Sequence, residues 1–284
     1  MDVTSRHRLT SRLRLATIYL FLALGILVSV FPFYWIVTTS FKFPRDHFSK
    51  PPVFLPTDYT LAHYDELFSP TAVNALPFLK NSFAIATLNM VFVVAISVPA
   101  AYALSRYRLG GNATRFAILT GRMLPPVIVI IPLFLIYRTL HLNNTYIGLV
   151  LAYTIFNGPL AVWLLMAFFE DFPTEIIDAS LVDGSTEFQA LLRVVVPLMA
   201  PSVVVVALFC FLTGWNDLIF VLTLGGRETH TLNMLMVNLL NAPSNESFGP
   251  AAAAVVLGIL PPFALTLFLQ RDLVAGLSLG GVKG

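Results

Sequence analysis

The sequence predicts an all-α membrane protein: six transmembrane helices, with a helical cytoplasmic loop between the fourth and the fifth. Three observations carry this reading. Of 284 residues, 57% are hydrophobic and only 11% are charged, where soluble domains average about 25% charged. Long apolar segments recur along the chain, and a spanning helix needs about 20 such residues. The stretch 170–198 breaks the pattern with carboxylates at helical intervals. The expected organisation is one helical domain over 15–272, between cytoplasmic tails at 1–14 and 273–284.

The first span follows Arg6, Arg8, Arg12 and Arg14 and carries no charge from Leu15 to Phe41. A signal-peptide core is only about 7–15 residues and ends at a small-residue cleavage site. Here Phe31-Pro32-Phe33-Tyr34-Trp35 follows instead, so the segment is read as a retained helix. The six spans are placed at roughly 15–38, 80–104, 115–137, 147–169, 199–223 and 250–270. Segment three holds Arg122, Pro125, Pro126 and Pro132. It is expected to be kinked and packed inside the bundle, where neighbours satisfy the carbonyls that proline frees.

Lysine and arginine in the loops set orientation. With the N-terminus inside, the cytoplasmic side holds Arg6, Arg8, Arg12, Arg14, Arg106, Arg108, Arg115, Arg193, Arg271 and Lys283. The outer side holds fewer: Lys42, Arg45, Lys50, Lys80, Arg138 and Arg227. Both termini are then cytoplasmic. Residues 43–78 and 225–249 become outer loops.

The cytoplasmic stretch from Phe172 to Pro201 reads as two short helices. Pro173-Thr174 is a helix start with Thr174 as the expected N-cap. Glu175, Asp178 and Asp183 are spaced through the first helix. Gly184 is the expected stop, since glycine accepts the left-handed backbone that ends helices. Ser185 is expected to cap a second helix whose apolar residues are Phe188, Leu191, Leu192 and Val195. Such a helix pair lies in the lipid interface or docks in a partner's groove. The three carboxylates of the first helix, with no base before Arg193, would be repelled by anionic lipid, which favours a partner.

This loop resembles the coupling loop of ATP-binding-cassette importer permeases. That pattern is Glu-Ala-Ala, three residues, Gly, nine residues, Ile-x-Leu-Pro. Here Asp178-Ala179-Ser180 is followed by three residues, Gly184, nine residues, then Val194-Val195-Val196-Pro197. The departures are Asp for Glu, Ser for Ala, and Val for Ile and Leu. Gly121-Arg122-Met123-Leu124-Pro125-Pro126, Asn157-Gly158-Pro159 with Trp163, Gly214-Trp215-Asn216-Asp217 and the tail Gly281-Val282-Lys283-Gly284 resemble the carbohydrate branch of that family, whose best-known member is the smaller maltose permease.

The resemblance implies a multi-pass permease of the bacterial cytoplasmic (inner) membrane. It implies a second, homologous permease, two ATPase subunits and an extracytoplasmic binding protein. ATP and magnesium would sit on the ATPases, with no cofactor on this chain, and nucleic acid is no partner. Glu175, Asp178, Ala179, Ser180, Asp183, Gly184 and Pro197 would form the ATPase-coupling element. The implied substrate is a sugar or polyol, with glycerol phosphate a further candidate. A secondary transporter or channel is the alternative from another class.

The remaining residues fit this frame. No G-x-x-x-x-G-K-[ST] phosphate loop occurs, so the energy source lies on another polypeptide. Arg122 and Asp217 are ionisable at membrane depth, where such groups face the bundle interior or a watery path. They are read either as gate or substrate contacts or as a structural polar pair. Trp215 and Asn216 pair an aromatic face with an amide, as sugar sites do; an interfacial Trp and a helix-bonding Asn are the plainer reading. Asn157 completes the candidate path. Gly276-Leu277-Ser278-Leu279-Gly280 spells a nucleophile elbow, but no acidic residue or His follows it. Cys210 reads as packing, and the five histidines lack metal-ligand spacing.

Overall fold

The structure is a computed structural model that describes residues 3–242 and 247–279, with side chains over 14–242 and 247–270. The tail 281–284 lies outside the described residues, as do the side chains of Arg6, Arg8, Arg12 and Arg271.

Among the described residues every regular element is helical. Helix α1 (Val3–Phe41) joins most of the expected N-terminal tail to the first span in one helix. The loop expected on the outer side holds two short helices, α2 (Pro44–His47) and α3 (Ala62–Phe68). Then come α4 (Leu76–Arg106), α5 (Gly111–Met123), α6 (Pro126–Thr139) and α7 (Tyr146–Glu170). The loop between α7 and the next span contains α8 (Thr174–Val182), α9 (Glu187–Ala190), a π turn (Leu191–Val195) and α10 (Val196–Leu198). Helices α11 (Ala200–Trp215), α12 (Ile219–Leu224), α13 (Leu232–Leu240) and α14 (Phe248–Leu279) complete the chain.

Four helices, α1, α4, α7 and α14, are each long and apolar enough to cross a membrane. The third expected span is instead a bent pair, α5 and α6, meeting at 82°. The cause is local. Leu124 precedes Pro125 and is pushed out of helical geometry to ψ 123°, because the proline ring excludes the helical region for its neighbour. The expectation that this segment packs inside the bundle holds only for α6, which buries Ile130, Leu133 and Tyr137; α5 buries none of its side chains. A second bend of 85° separates Glu187–Leu198 from α11. It falls at Met199 (φ −94°, ψ 10°), between Pro197 and Pro201. Counting each bent pair as one span gives six.

The chain divides into two units. The first comprises 1–74 and 239–257; the second comprises 75–238 and 258–284. In the first, Lys42, expected at the solvated outer side, is 1% exposed. Its Nζ lies 3.9 Å from the centroid of the Trp35 ring, which offers the buried cation a π face. His63 Nε2 is 2.8 Å from the Lys42 carbonyl. The His47 ring lies 5.5 Å from that of His63. Gly249 touches the same imidazole: a Cβ there would lie 2.3 Å from His63 Cε1.

Burial holds the His47 imidazole below its ordinary value; His63 and Lys42 push the same way, while the Thr39 carbonyl and Asp46 oppose. A His with a depressed native value stabilises above its unfolded value of about 6.5 and loses that contribution as pH falls through the native value. Acidification from neutrality should therefore loosen this segment. The expected result is weaker hydrogen-exchange protection of amides 60–68 at pH 5 than at pH 7, corrected for intrinsic rate. His47→Gln should flatten that difference. Equal pH dependence in both proteins contradicts the assignment.

In the second unit α4 packs chiefly along α7 and α11. Small residues permit the approach. Ala86, Ala101, Ala152 and Ala161 are at most 1% exposed. A Cβ on Gly214 of α11 would lie 3.3 Å from the Ala86 Cα. Membrane helices gain their association from such close packing, because lipid offers no hydrophobic drive between them.

Candidate functional site

The loop from α8 to α10 is built by local caps. The first helix, α8, ends on a Schellman motif: Gly184 N–H donates to the Leu181 carbonyl at 3.0 Å and Ser185 N–H to that of Ser180 at 3.1 Å. Gly184 has φ +89°, as expected from the sequence. The caps at the starts differ from expectation. Pro173 occupies the N-cap position of α8, and Thr174 is its first helical residue. Thr186, not Ser185, caps α9, through a reciprocal box with Gln189. Thr and Gln three apart form that box, so the signal was present in the sequence.

The loop presents a mixed face. Glu175, Asp178, Ala179, Asp183, Gly184 and Pro197 are exposed. Val182 is 87% exposed and Phe188 62% exposed. Ser180, grouped with the coupling residues in the sequence reading, turns inward at 9% exposure and donates to the Ile177 carbonyl at 2.7 Å. The expected apolar stripe of the second helix splits. Leu191 and Val195 are buried, whereas Phe188 and Leu192 are exposed. The π turn adds a residue to that turn and changes which side chains share a face.

Two side chains outside the loop hold it. Arg106, at the end of α4, pairs with Asp178 at 2.5 Å. Tyr102, one turn earlier, donates to Glu187 at 2.8 Å. Arg115 of α5 pairs with Glu170 at the end of α7. Tyr102, Arg106, Arg115 and Glu170 line a cavity of about 580 Å³ together with Phe172, Thr174 and Ile177. Sequence reading placed Arg106 and Arg115 in the cytoplasm but had no means of pairing them.

A second cavity, of about 310 Å³, brings together Arg122, Asn157 and Asp217, with Tyr153, Thr213 and Phe220 beside them. Arg122 Nη1 donates to the Phe156 carbonyl at 3.2 Å. Asn157 Nδ2 donates to Asn89 Oδ1 at 2.8 Å, and Asn89 in turn donates to the Val150 carbonyl. Asp217 Oδ2 accepts the Val221 N–H at 3.4 Å, at the start of α12. The break before α12 is pinned by Asn233, whose amide donates to the Trp215 and Asp217 carbonyls.

Trp215 and Asn216 do not line this cavity. Trp215 is 3% exposed, stacks on Phe211 at 5.7 Å and donates its indole N–H to the Gly258 carbonyl. It is a packed anchor. Asn216 is the C-cap of α11, its backbone N–H on Leu212. Asn89 and Asn233 were missed, being isolated amides in apolar runs.

The comparison with known families decides the larger question. Residues 93–277 match the family described as the binding-protein-dependent transport system inner membrane component. The chain belongs to that family. It is the permease of an ATP-binding-cassette importer.

Relatives resemble the permease over nearly its full length. The sulfoquinovosyl glycerol transport system permease protein SmoH of Agrobacterium fabrum is 36% identical over 93% of both chains. The diacetylchitobiose uptake system permease protein DasC of Streptomyces coelicolor is 32% identical over 90% of this chain and 92% of its own. The trehalose transport system permease protein SugB of Mycobacterium tuberculosis is 33% identical over 90% and 93%. Among solved structures, a bacterial transporter that imports the acidic polysaccharide alginate has a chain matching the permease with a TM-score of 0.76, 23% identity, and coverage of 92% and 97%. That likeness concerns the fold.

Proposed function

We propose that the permease carries a sugar or polyol inward by alternating access, paired with a second, homologous permease and driven by two separate ATPase subunits. The observation that carries this is the loop: α8 stops on a left-handed Gly184, and Val182, Asp183 and Phe188 are exposed around that turn. An exposed apolar knob flanked by carboxylates fits a partner's groove better than an anionic lipid surface. ATP and magnesium then bind on the partners. An extracytoplasmic binding protein delivers the solute. The sugar assignment draws on the relatives, several of which are named for sugar or sugar-derivative transport. The cavity supports it, because Arg122, Asn157, Thr213 and Asp217 offer donors and acceptors beside the aromatic Tyr153 and Phe220.

Reconstitution tests the reading. The permease alone in liposomes should neither hydrolyse ATP nor import sugar; addition of its sister permease, ATPase and binding protein should restore both. ATP-driven uptake by the isolated chain sinks it. Topology is checked separately. In a Cys210→Ala background, Glu66→Cys should react with an impermeant maleimide from outside and Glu175→Cys only after the membrane is opened. Outside labelling of both refutes cytoplasmic placement of the loop.

A further inference from the structure

We infer that Arg106 and Tyr102 are positioning residues that latch the coupling loop to α4, so that α4 moves with the loop. The inference rests on the proposed contact between this loop and an ATPase.

The chain joins the loop directly to α7 on one side and to α11 on the other. Connectivity alone therefore transmits a push on the loop to those two helices. The structure adds a third attachment. Arg106 and Tyr102 lie four residues apart on α4 and so share one face, one turn apart. Arg106 holds Asp178 in the middle of α8 at 2.5 Å, and Tyr102 holds Glu187 at the first residue of α9 at 2.8 Å. The two bonds grip the loop on both sides of the Gly184 turn. A single bond would leave the helix pair free to pivot; two fix its angle. The Tyr102 ring is itself held edge-on by Phe169 at 6.0 Å, so the hydroxyl is aimed before it bonds.

Asp178 occupies the carboxylate position of the coupling pattern, yet its carboxylate points at its own chain. Its side chain is 59% exposed and that of Arg106 only 21%. Water screens such a pair weakly held at a surface. A partner seated on the loop would exclude that water and strengthen the pair. The latch is then tightest when the ATPase is engaged. From α4 the movement reaches the membrane cavity by a direct route, because Asn89 of α4 holds Asn157 in its wall.

The test uses the complete complex with binding protein and counts ATP hydrolysed per sugar imported. Arg106→Glu should raise that ratio roughly tenfold, within the usual range for coupled sites, while the ATPase still co-purifies. Tyr102→Phe removes only the hydroxyl and should raise the ratio in the same direction. The charge exchange Arg106→Asp with Asp178→Arg should return it toward wild type. A merely structural role would lower the amount of complex and leave the ratio unchanged. Wild-type ratios in both Tyr102→Phe and Arg106→Glu, or no recovery on charge exchange, overturn the latch. Absence of binding-protein-dependent ATP hydrolysis in the wild-type complex overturns instead the ATPase reading beneath it.

Discussion

Gly184→Val is expected to abolish sugar uptake by the assembled transporter while the permease remains in the membrane beside its sister. The reason is conformational. Gly184 sits at φ +89° in the turn that ends α8, and a Cβ built there meets nothing within 4 Å. Space is therefore not the obstacle. A β-branched residue held at positive φ costs about 1–3 kcal/mol. The cheapest relief is to abandon the Schellman bonds at Leu181 and Ser180 and redirect α9. The spanning helices have their own packing, among Ala86, Gly214 and Ala152, and do not depend on this turn. The proposed docking face does depend on it, because Val182 precedes the turn and Phe188 follows it. Misdirection should weaken ATPase co-purification as well as uptake. Gly184→Asn separates strain from loss of a contact, since Asn visits the left-handed region at lower cost; it should retain much of the activity. Normal co-purification and transport in Gly184→Val would show that this loop is not the coupling element.

The stop at Gly184 was legible because one residue type and one local conformation explain each other. The same holds for α1, α4, α7 and α14, where long apolar runs admit few other readings. What failed was the inference of faces. Ser180 was grouped with its neighbours by motif position, but its hydroxyl bonds back to Ile177 and the side chain is buried. Phe188 was placed in one stripe with Leu191 and Val195 on an assumed regular period, and the π turn between them breaks that period. Trp215 and Asp217 are two residues apart, yet they end in different environments. The helix stops between them, Asn233 holds the break, and Trp215 turns to the Gly258 carbonyl. Short-range pattern locates a helix; it does not locate its ends when tertiary bonds from distant amides set them.

Arg122→Gln is expected to raise the KM for uptake by roughly 10- to 100-fold, with ATPase co-purification unchanged. The guanidinium carries five N–H donors. One donates to the Phe156 carbonyl, and no ion pair involving Arg122 occurs among the described residues. Asp217 shares the cavity but is engaged by the Val221 N–H. Arg122 therefore has donors to offer to a solute. A hydrogen bond involving a charged group contributes about 1.5–3 kcal/mol, which sets the size of the expected KM change. The competing account is that Arg122 only ties α5 to α7 through Phe156. The two accounts part on the conservative variant and on which kinetic constant moves. Arg122→Lys keeps a charge in the cavity but replaces the planar fork with a single compact ammonium. If Arg122 contacts the solute, Lys should fall between Arg and Gln in KM, and transport at saturating sugar should largely recover in both. If Arg122 is only a tie between helices, Gln should lower the amount of folded permease and the maximal rate together, and leave KM at its wild-type value.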